Sequence, residues 1–190
     1  MTDTTRKYDE PRAHALRTRY RRLFGRDDIP VPVESIAEDL LGLRIEHSAE
    51  LSDLSGVLIP AERLIVLNAS EAAHEGMPIR RHRYTIAHEL GHWICHVVSA
   101  PLGTELAPRY CRAADLSQDA NRALEREANV FAAELLMPEQ AVRDAWSSIA
   151  QVDVVAAHFG VSPLAAHWRL HNFGLVDRPA VSGQGEEGRA

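Results

Sequence analysis
His88, Glu89 and His92, in the run His88-Glu89-Leu90-Gly91-His92, have the types and spacing to hold a metal ion and activate water beside it. On a helix of about 3.6 residues per turn, positions i and i+4 share a face. Both imidazoles therefore reach one ion while Glu89 sits at its rim. Zinc takes neutral imidazole nitrogen at about 2.0–2.1 Å, and a catalytic zinc site keeps three protein ligands and one open position. The ion acidifies water and polarises a carbonyl, and a neighbouring carboxylate moves the proton from water to a leaving amine. This spacing assigns His88 and His92 as ligands, Glu89 as general base, and peptide-bond hydrolysis as the reaction.

A third ligand must come from another segment. His96 continues the stripe of His88 and His92, but eight residues at about 1.5 Å rise place it about 12 Å from His88. Bonds of about 2 Å cannot close that gap, so His96 reads as a group behind the ligands, a cleft residue or a helix-surface histidine. A second helix, 117–137, carries Glu125-Arg126-Glu127-Ala128-Asn129. Leu124, Ala128, Phe131, Ala132 and Leu135 form its packing stripe and Glu125 adjoins it. A carboxylate facing the core needs a partner, and a metal supplies one. Glu127 stays open as the alternative: two residues on, it points about 200° away, so the two cannot serve the same ion. Asn129 is placed either to steady a histidine through its outer nitrogen or simply to occupy the helix edge.

The elements that must position these groups are legible around them. Residues 81–98 read as one uninterrupted apolar-periodic helix ended by Pro101 and Gly103. Ser117 caps the second helix, and Pro138 stops it.

Two blocks taken together, Tyr84-Thr85-Ile86-Ala87-His88-Glu89-Leu90-Gly91-His92-Trp93 and the run from Glu125 to Pro138, resemble the ImmA/IrrE family of intracellular metallo-endopeptidases. The likeness extends over residues 33–176. It implies an α+β, zincin-like core similar to that of thermolysin-type enzymes. It also implies zinc held by His88, His92 and Glu125, with catalysis by Glu89. The substrate it implies is a helix-turn-helix transcriptional repressor of a mobile element or stress-response locus, cleaved to derepress genes.

Composition fits a compact enzyme. The 190 residues suffice for one sizeable core, with or without an appended subdomain, and carry a net charge of −6, which is no global nucleic-acid footprint. A local exception is the arginine-rich helix at 10–24, which reads as a solvated face before it reads as a docking arm. No run approaches the roughly twenty apolar residues of a membrane span and no secretory leader is evident, so the expected compartment is the cytoplasm. Cys95 and Cys111 alone give no disulfide framework.

The expected organisation is a basic helix and linker (1–30), a peptidase core (31–145), a helical segment (146–176) and a disordered tail (177–190). Within the core, 33–41 reads as a short helix closed by Gly42, 43–46 as a strand, and 55–59 with 63–68 as a hairpin in a small antiparallel sheet. One of its strands could hold an extended substrate. The polar loop at 69–80 carries His74, too weak a signal for a site, and the loop at 103–117 borders the cleft with Tyr110, whose oxyanion role is left unassigned. His158, His167 and His171 lack the spacing for a second metal. The segment 152–170 outlines a helix-turn-helix, but its second helix begins Pro163-Leu164-Ala165-Ala166 and offers chiefly Arg169 for nucleic acid. Two other classes compete with the peptidase: a repressor-binding regulator with a structural metal, and a DNA-binding factor built on these last helices.

Overall fold
The computed structural model describes residues 6–51, 54–73, 78–101, 109–110 and 119–179. His74, Cys111 and Ser117, and the tail beyond residue 179, lie outside them. The architecture is α+β, with helices packed against a small sheet. Helix α1 (Arg6–Phe24) leads to α2 (Val33–Ser35), which widens into a π turn at Ile36–Leu40. Gly42, at φ 64°, closes that turn in the left-handed region that glycine adopts without a Cβ clash. Strands β1 (Arg44–Ser48), β2 (Gly56–Ile59) and β3 (Leu64–Asn68) follow, then α3 (Pro78–His92), β4 (Arg109–Tyr110) and α4 (Asp119–Leu136). Helices α5 (Glu139–Ile149), α6 (Val152–Phe159) and α7 (Pro163–Asn172) complete the order.

The sheet runs β1-β3-β2-β4. β2 and β3 form the expected antiparallel hairpin, pairing Val57 with Val66, and β4 adds to β2 with Val57 opposite Tyr110. The sheet is mixed where the sequence suggested an antiparallel one, because β1 pairs parallel to β3, with Arg44 opposite Leu64. β1 lies beyond β3 rather than beside β2. The chain therefore reverses once into β2 and again into β3, returning β3 to the direction of β1.

The motif helix also differs from the expectation of an unbroken α-helix. α3 ends at His92 and continues as a π turn over Trp93–Val97. Two glycines explain how closely its neighbours approach. A Cβ on Gly91 would lie 2.9 Å from Ala128 Cα, so α3 and α4 meet backbone to backbone there. A Cβ on Gly56 would meet Thr85 Cγ2 at 2.5 Å, which seats β2 on α3.

The core joins Leu58 and Ile65 of the sheet, Ile86 and Leu90 of α3, and Phe131 and Leu135 of α4. Val31 and Val33 are buried in it. The segment from α6 to α7 contributes Val155, Phe159 and Leu170 to the same core. Gly160 turns the chain at φ 65°, and the Ser162 side chain caps α7 by accepting from Ala165 N at 3.2 Å. Arg169 faces inward, paired with the equally buried Glu134 and donating to Met137 O at 2.9 Å. Among the described residues no helix is long and apolar enough to cross a membrane.

Candidate metal centre
α3 turns Glu89, His88 and His92 into the protein, where they are 0%, 2% and 1% exposed. The Gly91 contact draws α4 in until Glu125 meets both rings. His88 Nε2 and His92 Nε2 lie 3.0 Å apart, and the two Glu125 carboxylate oxygens lie 3.1 Å and 3.2 Å from them. A tetrahedral ion with bonds of about 2.0–2.1 Å needs donors about 3.3–3.4 Å apart, so the three side chains stand almost at coordinating separation. Two histidines and a glutamate are also a donor set found in catalytic zinc sites. Among the described residues this is the cluster of His, Cys, Asp and Glu that could hold a metal ion.

The outer nitrogens are tied down as well. His88 Nδ1 lies 3.0 Å from Asn129 Oδ1, which also accepts from Tyr84 OH at 2.7 Å. An amide oxygen only accepts, so Nδ1 of His88 carries the hydrogen and Nε2 of the neutral ring bears a lone pair. His92 Nδ1 lies 3.0 Å from His96 Nδ1, whose other nitrogen lies 3.0 Å from Glu127 Oε2. Glu127 thus faces His96 and not the three converging donors. Of the two carboxylates left open by the sequence, Glu125 is the one beside His88 and His92.

Charge at the site follows from burial and these contacts. Burial raises the Glu89 carboxyl to about 8, with His88 opposing and Glu125 adding to the rise. Neither Glu89 oxygen has a hydrogen-bond partner among the described residues. Burial holds the His92 imidazole below its ordinary range against the pull of Glu125, with His88 and His96 also lowering it. Burial works to raise the Glu125 carboxyl, but hydrogen bonding and attraction from His88 and His92 outweigh it and bring it down to about 2. Those hydrogen bonds place hydrogens on the inner nitrogens; were both rings neutral with their hydrogens on Nδ1, two Nε2 lone pairs and the carboxylate would face one another, which a cation would relieve.

Sequence reasoning singled out neither Tyr84 nor the pairing of His96 with Glu127. Tyr84 stands one turn before His88, the spacing at which helix neighbours touch, and Glu127 had been weighed only as a ligand. Tyr110 lies on β4 with its backbone paired to Val57; its side chain is outside the described residues. Cys95 is buried. Beside His88 opens a cavity of about 410 Å³ walled by Tyr84, Thr85, Ser55, Arg81 and Ala165. It joins the face of the metal helix to the turn before α7.

A solved structure similar to this chain is a Mycobacterium tuberculosis transcriptional regulator, at 21% identity and a TM-score of 0.55 over 94% of this chain. The chain spans about half of that protein, 53% of its length, and the likeness supports the fold alone. No curated protein matches at a significant level. The model of the M78 peptidase family, described as the IrrE N-terminal-like domain, matches residues 39–171. That span holds the paired histidines, the α4 carboxylate and the helices that bring them together; the chain belongs to this ImmA/IrrE family.

Proposed function
We propose that the chain is a zinc-dependent endopeptidase that cuts a helix-turn-helix transcriptional repressor and so releases genes of a mobile element or stress response. The observation that carries this reading is the convergence of His88 Nε2, His92 Nε2 and the Glu125 carboxylate, with the Glu89 carboxyl, which has no hydrogen-bond partner among the described residues, on the helix of the two histidines. His88, His92 and Glu125 hold the metal, and Glu89 moves the proton. A bound divalent cation would polarise the scissile carbonyl and make water a nucleophile near neutral pH. Glu89 takes the proton of the attacking water and returns it to the leaving amine. Its carboxyl lies near 8 without the ion; a bound cation would lower it and free the carboxylate to act as base. The donor set favours zinc, while manganese, iron and cobalt accept the same groups.

In this reading residues 31–145 form the catalytic core, and the cavity beside His88 seats a substrate residue next to the scissile bond. The regulatory setting is supported by the family and by the name of the mycobacterial neighbour, a transcriptional regulator. Repressors act in the cytoplasm, which is therefore the proposed compartment. Direct base reading by α7 is disfavoured, because Arg169 is buried against Glu134. The neighbour's name also supports a second reading, a regulator that binds its partner and uses the metal as a clamp.

Incubating metal-loaded wild type and Glu89→Gln with a candidate repressor, followed by mass spectrometry, separates the two. The peptidase reading predicts one new terminus with wild type and none with the variant. Binding by both proteins without fragments would favour the clamp.

A further inference from the structure
We infer that His96 and Glu127 form a relay that fixes the ring of His92 and aims its inner lone pair at the metal. Both are positioning residues, and the inference rests on the metal-centre reading above. A carboxylate only accepts, so the 3.0 Å contact from His96 Nε2 to Glu127 Oε2 places the His96 hydrogen on Nε2. In its neutral form the His96 ring then offers a lone pair at Nδ1, which lies 3.0 Å from His92 Nδ1. Only His92 can supply the hydrogen of that contact. Its Nδ1 is therefore the N–H, and its Nε2, 3.2 Å from Glu125 Oε1, is left to donate electrons. With both rings neutral, each link has one permitted direction, set by the carboxylate at the far end.

The local backbone serves this arrangement. In an α-helix four residues overshoot a full turn by about 40°. The wider i→i+5 turn at Trp93–Val97 reduces that overshoot. The His92 and His96 rings consequently stand 5.1 Å apart, tilted by 52°, with His96 turned towards α4. The two ligand histidines are thus backed differently. His88 leans on a neutral amide shared with Tyr84, whereas His92 leans on an imidazole polarised by a carboxylate. Outer partners of this kind orient a ligand ring and raise its basicity.

Chelator competition with zinc on the full chain tests the relay without reference to catalysis. His96→Leu should lower zinc affinity by about 10- to 100-fold. His96→Gln should recover most of it, since its amide oxygen can accept from His92 and its NH2 can donate to Glu127. Glu127→Gln, which keeps the acceptor and removes the charge, should fall between. Long-range ¹H–¹⁵N NMR of the metal-free protein reads the tautomer directly: His92 should carry its hydrogen on Nδ1 in wild type and lose that preference in His96→Leu, with His88 unchanged. Zinc affinity in His96→Leu equal to wild type, or an unaltered His92 tautomer, would overturn the relay alone. Failure of wild type to bind zinc would overturn the metal centre and the relay with it.

Discussion
Two buried glutamates mark the difference between the α3–α4 contact and the α4–α7 contact. Glu134 is 5% exposed and paired with an equally buried arginine, Arg169, which also donates to the Met137 carbonyl. Glu89 is 0% exposed, and neither of its oxygens has a hydrogen-bond partner among the described residues. The first glutamate is satisfied by the fold itself, and the second is buried without a hydrogen-bond partner among the described residues. Both contacts bury histidine-bearing or arginine-bearing helices. Of the two, the α3–α4 contact leaves a buried carboxyl without a partner among the described residues, beside side chains that could hold a metal ion, and that incompleteness distinguishes a site from a packing element.

Removing each glutamate should therefore act on a different property. Glu89→Gln should lower the rate of substrate cleavage by about 10²- to 10⁴-fold, the range of a lost proton-transfer group, with zinc stoichiometry unchanged. Cleavage kinetics beside metal analysis reads both. Glu134→Ala should instead cost stability, about 3–5 kcal/mol, because Arg169 would be left buried and uncompensated; urea unfolding measures it, and a loss under 1 kcal/mol would erase the contrast.

The pH dependence sharpens the same comparison. In the metal-free protein the Glu89 carboxyl lies at about 8 against an ordinary 4.5, so the folded state holds this proton more tightly than the unfolded chain. That stabilisation is complete below about pH 4.5 and is lost as the pH rises through about 8. Measured by unfolding, the stability of wild type should fall relative to Glu89→Gln by up to about 1.4 kcal/mol per pH unit across this window. A gap independent of pH would mean that Glu89 is not held protonated by burial. Gly91→Ala is the mildest lesion. Its Cβ would press on the Ala128 backbone, and forcing the helices apart should cost about 1–3 kcal/mol and weaken zinc binding by drawing Glu125 away.

Much of the site's layout could be read from spacing. The i, i+4 histidines had to share a face; the packing stripe left Glu125 and Glu127 both open, and the family resemblance pointed to Glu125. The hairpin of β2 and β3 was equally legible from two β-rich runs around Pro60. Other features lie beyond local periodicity. An α-helical pattern carries no sign of the π turn at Trp93–Val97 that sets His96 against Glu127. The parallel seat of β1 depends on which side of the hairpin it joins, a tertiary choice. The full burial of Val31 and Val33 at the start of the core is decided by tertiary packing, which the proline-flanked Val31 does not announce. Arg169 looked available to nucleic acid until Glu134, thirty-five residues earlier, took it inward.

Zinc-edge X-ray absorption on the stoichiometrically loaded chain tests the central claim most directly. The account predicts one zinc per chain bound by two imidazole nitrogens and carboxylate oxygen at about 2.0–2.1 Å, with binding abolished in His88→Ala and severely weakened in Glu125→Ala. Zinc coordinated by sulfur, or held equally well once the Glu125 carboxylate is removed, would contradict it.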